Sequence, residues 1–413
     1  MSLAWVSVAA LVIAITLSCT TRINVGVVSL AFAWIVGVYL GHLPLGDILA
    51  GFPTQLFITL VGITLLFAMA QVNGTLARIA ERAVRLCRGN VGLIPIMFFV
   101  VALGLATIGP GNIATAALLA PTAMAVAAEA GVPPFLMALM VGNGAQAGAL
   151  SPFAPTGVIV NGIMGRIGLG GAQWQTYLNN MAAHAVLAFA GYFVFGGWRL
   201  FMKDRRSSAG PAAPLEAFEW RHRLTLAVVV GLIVAVAGFN TNVGMTAIAG
   251  ATFLSLAQAA DEKDAIRRMP WGVILMVSGV TVLIALMEKT QGMELFTSLL
   301  ARVATPGNVI AVIAFVIGVV SVYSSTSGVV LPAFLPTVPG LVARLGGVSP
   351  LALASAMNVG AHLVDMSPLS TTGAICLAAA PTGVDTRDLF NKLLAWGLSM
   401  SVVGALVCWV MFR

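Results

Sequence analysis

The sequence predicts an all-α polytopic membrane protein made of two inverted repeats, and three observations predict it. The 413 residues are 59% hydrophobic and only 8% charged, with a mean hydropathy of +1.00, so most of the chain suits hydrocarbon better than water. A series of landmarks recurs about 217 residues downstream. Two long apolar runs, one in each half, are interrupted in the middle by residues that an unbroken membrane helix would not use.

Taken in order, apolar spans fall at Leu3–Cys19, Val25–Gly41 and Pro53–Val72, each near the ~20 residues that cross a bilayer. The first has no basic start and no convincing cleavage site, so it is expected to be a retained span and not a signal peptide. A basic helix follows at Leu76–Arg88, where Arg78, Arg82 and Arg85 share a face and suit an interfacial strut. The next run, Gly92–Ala128, contains Gly109-Pro110-Gly111-Asn112. Pro110 lacks a donor and the glycines admit positive φ, so the run is expected to fold as a re-entrant hairpin with its tip inside the membrane. The span Pro134–Met164 is broken by SPFAPTG at Ser151–Gly157, and Tyr177–Phe201 closes the first half. Residues 203–223, polar and rich in Pro and Ala, read as a linker between a first repeat, 1–202, and a second, 224–413.

The second half repeats the first at the level of single residues. Asn24-Val25-Gly26 recurs as Asn242-Val243-Gly244, and Pro53, Gly62 and Thr64 as Pro270, Gly279 and Thr281. Gly89-Asn90-Val91 recurs as Gly307-Asn308-Val309, and SPFAPTG as SPLSTTG at Ser367–Gly373. So steady an offset marks an internal duplication. Five spans per half is an odd number, which gives the halves opposite orientations. With the linker in the cytoplasm, 16 of the 21 Lys and Arg fall inside, which places both termini outside. The basic residues behind the +7 net charge thus sit in short loops, and a nucleic-acid partner is excluded. Cys19, Cys87, Cys376 and Cys408 are scattered, with no CxxC pair or HExxH, so neither a metal cluster nor a disulfide framework is indicated.

Two hairpins entering from opposite faces should bring their tips together near the midplane, each beside the broken helix of its own half. Interrupted helices of this kind bind ions in hydrocarbon: N-terminal half-helix ends suit carboxylates, and unwound carbonyls suit Na⁺. The polar groups on offer are Asn112 and Thr115 at the first tip and Ser324, Ser325, Thr326 and Ser327 at the second. The breaks add Ser151, Thr156, Ser367, Ser370, Thr371 and Thr372. No Lys or Arg occurs at tip or break, so a dianion there must be neutralised by helix ends, hydroxyl and amide donors, and bound cations. An inside-negative potential opposes its entry by about 2.3 kcal/mol per charge per 100 mV, and electroneutral uptake needs two or more cations.

The duplicated hairpin and broken helix resemble the ion transporter superfamily, whose sodium-coupled dicarboxylate carriers bear a Ser-Asn-Thr motif at each tip and a Thr-Pro-Pro-Asn-like motif at each break. The run AxLLAPTAM from Ala116 to Met124 at the first tip is most similar to the malonate/dicarboxylate (MatC-type) branch, with divalent anion:sodium symporters more distant. Here Gly111-Asn112-Ile113 keeps only the asparagine, Ser324-Ser325-Thr326 keeps the serine and threonine, and Ser151-Pro152 and Ser367-Pro368 lack the asparagine. The resemblance implies import of a small dicarboxylate, malonate or a C4 acid, with Na⁺, by a homodimeric elevator in the bacterial inner membrane, without an organic cofactor. It places substrate at Asn112, Thr115, Ser325, Thr326, Ser327, Pro155, Thr156, Thr371 and Thr372. It places Na⁺ at Gly111, Asn112 and Ser151, and at Ser324, Ser325 and Ser367.

Asp365 is the one acid deep in a span, with His362 a helical turn before it. The pair could serve coupling, or Asp365 could cap the half-helix after the break with His362 packed against it. The first-half counterparts are Ala149 and Gln146. Other readings are a proton-coupled carrier or exchanger of another organic or inorganic anion, an intramembrane hydrolase using Ser327 or Ser367 with His362, and a passive channel. The hydrolase has no GxSxG elbow and leaves the duplication unexplained. The channel conflicts with tips entering from both faces.

Overall fold

The structure is a computed structural model that describes residues 2–21, 23–86, 90–202, 217–239, 241–381 and 383–413. Among these the chain is helical throughout. The first half runs through α1 (Leu3–Thr20), α2 (Val25–Trp34, widening into a π turn over Ile35–Leu40), α3 (Leu45–Leu49), α4 (Thr54–Val72) and α5 (Thr75–Leu86). It continues through α6 (Leu93–Ile108), α7 (Gly111–Ala130), α8 (Pro134–Gly148), α9 (Pro155–Arg166) and α10 (Gln173–Val194). The second half holds α11 (Trp220–Phe239), α12 (Val243–Leu256), α13 (Glu262–Arg268), α14 (Trp271–Lys289), α15 (Gly292–Ala301) and α16 (Val309–Tyr323). After α16 come α17 (Leu331–Phe334), α18 (Val338–Leu345), α19 (Pro350–Leu363), α20 (Thr371–Ala378) and α21 (Thr386–Phe412). Five stretches, including Thr54–Val72, Gly111–Ala130 and Trp271–Lys289, are long and apolar enough to cross a membrane.

Two boundaries differ from the sequence reading. The linker does not extend to residue 223, because α11 already begins at Trp220; its first turn is pinned where His222 Nε2 meets the Asn73 carbonyl at 2.9 Å. The rest of the expected linker, 203–216, lies outside the described residues, as do Arg22, Arg88, Lys203, Arg205 and Arg206 of the charge argument. The span ending the first half stops at Val194, where Gly196 takes φ +78° and a 3₁₀ turn, Gly197–Met202, follows.

Hydrogen bonds between distant segments sort the helix ends into two groups. Asn73 Nδ2 donates to Ala259 O at 3.1 Å, and Asn24 Nδ2 to Gly272 O at 2.8 Å, at the end where α10 leaves and α11 returns. Ser7 meets Thr290, Asp47 meets Lys289, and Trp409 Nε1 donates to Gly307 O at the other end. Asn24 and Asn242 cap α2 and α12, accepting from Gly26 N and Met245 N, as their side-chain chemistry favours.

Two helix crossings are built from residues related by the sequence offset. A Cβ on Gly279 of α14 would strike the backbone of Gly26 in α2, and a Cβ on Gly62 of α4 would strike that of Gly244 in α12. Glycine is required here because backbone meets backbone. A first apolar core joins α1, α2, α4, α12, α14, α16 and α19. A second gathers Phe98, Phe99, Met124 and Met137 around the first hairpin.

Candidate functional site

The first hairpin turns where Gly-Pro-Gly predicts. Gly109 and Gly111 have φ of +149° and +77°, so α6 ends at Ile108 and α7 starts at once with Asn112 in its first turn. The second hairpin turns without glycine: Ser324 and Ser325 are extended, and Ser325 Oγ caps the returning limb by accepting from Gly328 N at 3.2 Å. That limb passes from a π turn over Thr326–Val330 into α17, a 3₁₀ turn and α18. Pro332, Pro336 and Pro339 lack the donors a regular α-ladder needs.

The two breaks share one construction. Helix α8 stops at Gly148 and α9 restarts at Pro155; α19 stops at Leu363 and α20 restarts at Thr371. In each, the glycine that ends the motif packs on the carbonyl of the serine that begins it, Gly157 on Ser151 and Gly373 on Ser367, where a Cβ would not fit.

Tips and breaks meet around one cavity of about 260 Å³. Asn112 and Ile113 from the first tip, Ser324 to Ser327 from the second, Thr156 from the first break and Ser370 to Thr372 from the second all line it, with His362 and Asp365. The N-terminal ends of α7, α9, α20 and the returning limb of the second hairpin therefore open on a single space. Thr21, Ile23 and Met276 also line it, so it reaches toward the end of the bundle where α10 leaves and α11 returns. A larger cavity of about 1030 Å³, lined by Pro53, Phe153, Asn161, Arg166 and Trp174, holds none of the tip residues. We place the site in the smaller one, where the interrupted helices converge.

A residue that the sequence marks only as the counterpart of His362 connects the two halves. Gln146 of α8, buried, accepts from Asn112 Nδ2 at 3.0 Å and donates to Asp365 Oδ2 at 3.0 Å and Thr372 Oγ1 at 2.9 Å. Thr326 Oγ1 donates to the other carboxylate oxygen, Asp365 Oδ1, at 2.6 Å, and is itself bonded to the Ser321 hydroxyl. Thr156 Oγ1 lies 3.4 Å from Asn112 Oδ1. The signal for Gln146 was its register with His362 and its polarity inside an otherwise apolar helix.

Asp365 does not cap the helix after the break. Its carboxylate accepts from Thr326 and Gln146 and also feels the Ser370 side chain, whose Oγ donates to the Asp365 backbone carbonyl at 2.7 Å. His362 does not bond Asp365 either, since its Nδ1 donates to Asn358 O at 2.7 Å and its Nε2 has no partner.

The remaining expected site residues sit behind the cavity wall. Ser151 Oγ donates to Thr107 O at 2.7 Å, tying the first break to the first tip. Ser367 Oγ accepts from Leu369 N at 3.3 Å, Pro155 packs on Gly111, and Thr115 is buried with its hydroxyl unmet. The Ser324 hydroxyl is also buried and unmet, on the cavity wall. Unmet hydroxyls, a carboxylate and unwound carbonyls form a hard oxygen donor set, of the kind that hard cations take.

Residues 1–149 match the family described as dicarboxylate carrier protein MatC N-terminus. Over nearly the whole chain the fold is that of solved transport proteins. The YdaH transporter of Alcanivorax borkumensis aligns with a TM-score of 0.61 at 15% identity, covering 90% of this chain and 87% of that one. Neisseria gonorrhoeae MtrF, described with a class of antimetabolite efflux pumps, aligns with a TM-score of 0.57 at 11% identity over 92% and 84%. No curated protein sequence matches. Residues 1–149 thus match the model of the dicarboxylate carrier MatC N-terminal family, and the chain as a whole shares the multi-helical fold of these solved membrane transport proteins.

Proposed function

We propose that this chain is a secondary active carrier that imports a small dicarboxylate, malonate or a C4 acid, together with Na⁺. The observation that carries the reading is the convergence of four helix N-terminal ends on a hydroxyl-lined cavity with no Lys or Arg among the described residues of its wall. Unpaired N–H groups and the positive end of the peptide dipole favour carboxylates there. The volume of about 260 Å³ lies just under the ~300 Å³ lower end of small-molecule sites, which suits a solute of this size. The MatC description of the first 149 residues supports the same substrate class.

A dianion would share this cavity with the Asp365 carboxylate, so cations must stand between them. On this reading the substrate bridges the tips through Asn112, Thr156, Ser325, Thr326, Ser327, Thr371 and Thr372, with Thr115 and Pro155 supporting them from behind. Na⁺ takes oxygens around Gly111, Asn112 and Ser151, and around Ser324, Ser325 and Ser367. The glycine-on-glycine crossings of α2 with α14 and α4 with α12 supply a close-packed frame. The hairpins and breaks form the body that moves against it, elevator fashion, in a homodimer of the bacterial inner membrane whose linker is cytoplasmic.

The test is thermal stability of the purified protein with a series of dicarboxylates, in Na⁺ and in choline. A ligand that binds only the folded form raises the melting temperature by mass action, about 2.7 kcal/mol at a hundredfold excess over Kd. Malonate or succinate should stabilise in Na⁺ and not in choline. Equal stabilisation in both salts would remove Na⁺ from the account, and no stabilisation by any dicarboxylate would remove the substrate class.

A further inference from the structure

Behind the cavity, α10 and α19 carry the same pentapeptide pattern, Asn-x-x-Ala-His, as Asn180–His184 and Asn358–His362. Asn179 Nδ2 donates to Ser355 Oγ at 3.1 Å, which sets the two patterns side by side. Each imidazole uses Nδ1 on the carbonyl four residues back, His184 on Asn180 at 3.0 Å and His362 on Asn358 at 2.7 Å. A carbonyl can only accept, so in the neutral rings Nδ1 holds the hydrogen and both Nε2 atoms are bare acceptors. Both asparagines also leave Oδ1 unmet; Asn180 spends its amide N–H on Gln146 O at 2.8 Å, and Asn358 turns its own toward Met164 Sδ.

Four buried acceptors therefore stand on two adjacent helices without a donor, and burial makes each unmet polar group costly. His184 lies against the backbone of His362, and the two rings sense one another. His362 lines the cavity, and His184 does not. What belongs among these atoms brings hydrogen-bond donors or positive charge. Na⁺ prefers hard oxygen donors over imidazole. Among the described residues no three His, Cys, Asp or Glu side chains gather to hold a metal, and a divalent ion would meet no anionic ligand here. A proton fits, because a bare imidazole Nε2 can take one up and give it back.

We propose that His184 and His362 form a proton-binding node, so that the carrier moves a proton in addition to the cations at the tips. A hydronium ion in the cavity gives its proton to the lone pair of His362 Nε2 and is left as water, and the His184 ring, which lies against the His362 backbone, takes the proton on in turn. It returns to water when the cavity opens on the other face. Few titratable groups surround the pair. Asp365 lies one turn beyond His362, Cys408 of α21 donates to Ala356 O, and Cys376 of α20 points to Ala138 O. Tyr177 and Tyr192 of α10 are bonded to Thr107 and to Gly92 and Gly197. Helix α8 has no titratable side chain and α16 only Tyr323, while Arg166 of α9 and Arg344 of α18 stand at the far ends of their helices. Among the described residues of the cavity wall no Lys or Arg competes for the role.

The proposal rests on the carrier reading, and its test separates the two. Full-length protein in proteoliposomes is assayed for counterflow of labelled malonate or succinate at equal pH, and for lumenal acidification on substrate entry at clamped potential and fixed Na⁺. The wild type should show both. His184→Gln should keep counterflow and lose the acidification, and His362→Gln should lower the ratio of protons to substrate. Counterflow without acidification in the wild type overturns the proposal while leaving the carrier intact, and needs no variant to fold. Acidification that survives His184→Gln also overturns it, since the proton would then ride on the substrate and the four acceptors would hold water. Absence of wild-type counterflow sinks the carrier reading instead.

Discussion

Gln146→Leu is expected to lower dicarboxylate affinity by roughly two to three orders of magnitude while the protein still folds around its two apolar cores. Leucine is one atom shorter than glutamine but of similar bulk, so the packing of α8 is largely preserved, but three hydrogen bonds vanish together. Asn112 loses its acceptor, Thr372 loses a donor, and Asp365 keeps only Thr326. Leaving a buried group without its hydrogen-bond partner costs about 1–3 kcal/mol, more for a charged one, three groups are affected at once, and each 1.4 kcal/mol is about tenfold in affinity. The cost falls on the site because Gln146 holds the first tip and the second break in one register. Titration calorimetry of malonate or succinate in Na⁺ measures it. An affinity unchanged within about threefold would mean that the network is structural and the substrate sits elsewhere.

Asp365→Asn separates binding from coupling. The substitution is nearly isosteric and retains an oxygen for Thr326, so substrate binding should persist. The cavity loses its fixed negative charge, and with it the reason to hold one of the cations. If one positive charge per cycle is lost, an inside-negative potential of 100 mV penalises the imported dianion by about 2.3 kcal/mol more. Steady-state accumulation in proteoliposomes should then fall by roughly fifty-fold, while exchange at zero potential is largely retained. Accumulation equal to the wild type's would show that Asp365 plays no part in coupling.

These expectations grow from features of unequal legibility. The first tip could be read from sequence because Gly109, Pro110 and Gly111 are there for backbone reasons, and backbone conformation is a local property. The second tip was legible only as a run of hydroxyls, since its turn depends on Ser325 capping the returning limb and on prolines that thin the ladder beyond it. The glycines that close each break, Gly157 and Gly373, stood in the repeated motif, but their purpose appears only when each is seen against the carbonyl of Ser151 or Ser367. Gln146 was out of reach as a ligand-shell residue because its partners lie 34, 219 and 226 positions away, and no periodicity encodes such a meeting. The same limit gave Asp365 a choice between a cap and a functional carboxylate. Local pattern fits both, and only the placement of Thr326 and Gln146 on its two oxygens decides against the cap.

The proposition that the two hairpin tips make one site is tested most directly by substrate protection of a single reporter at each tip. Ile113→Cys and Ser327→Cys, each in a background without the native cysteines, place a thiol on the wall of the same cavity from opposite halves of the chain. Both should react with a small maleimide, and malonate or succinate in Na⁺ should slow both reactions with a common half-maximal concentration. Protection of one tip with the other untouched, or midpoints that differ by an order of magnitude, would contradict a shared site.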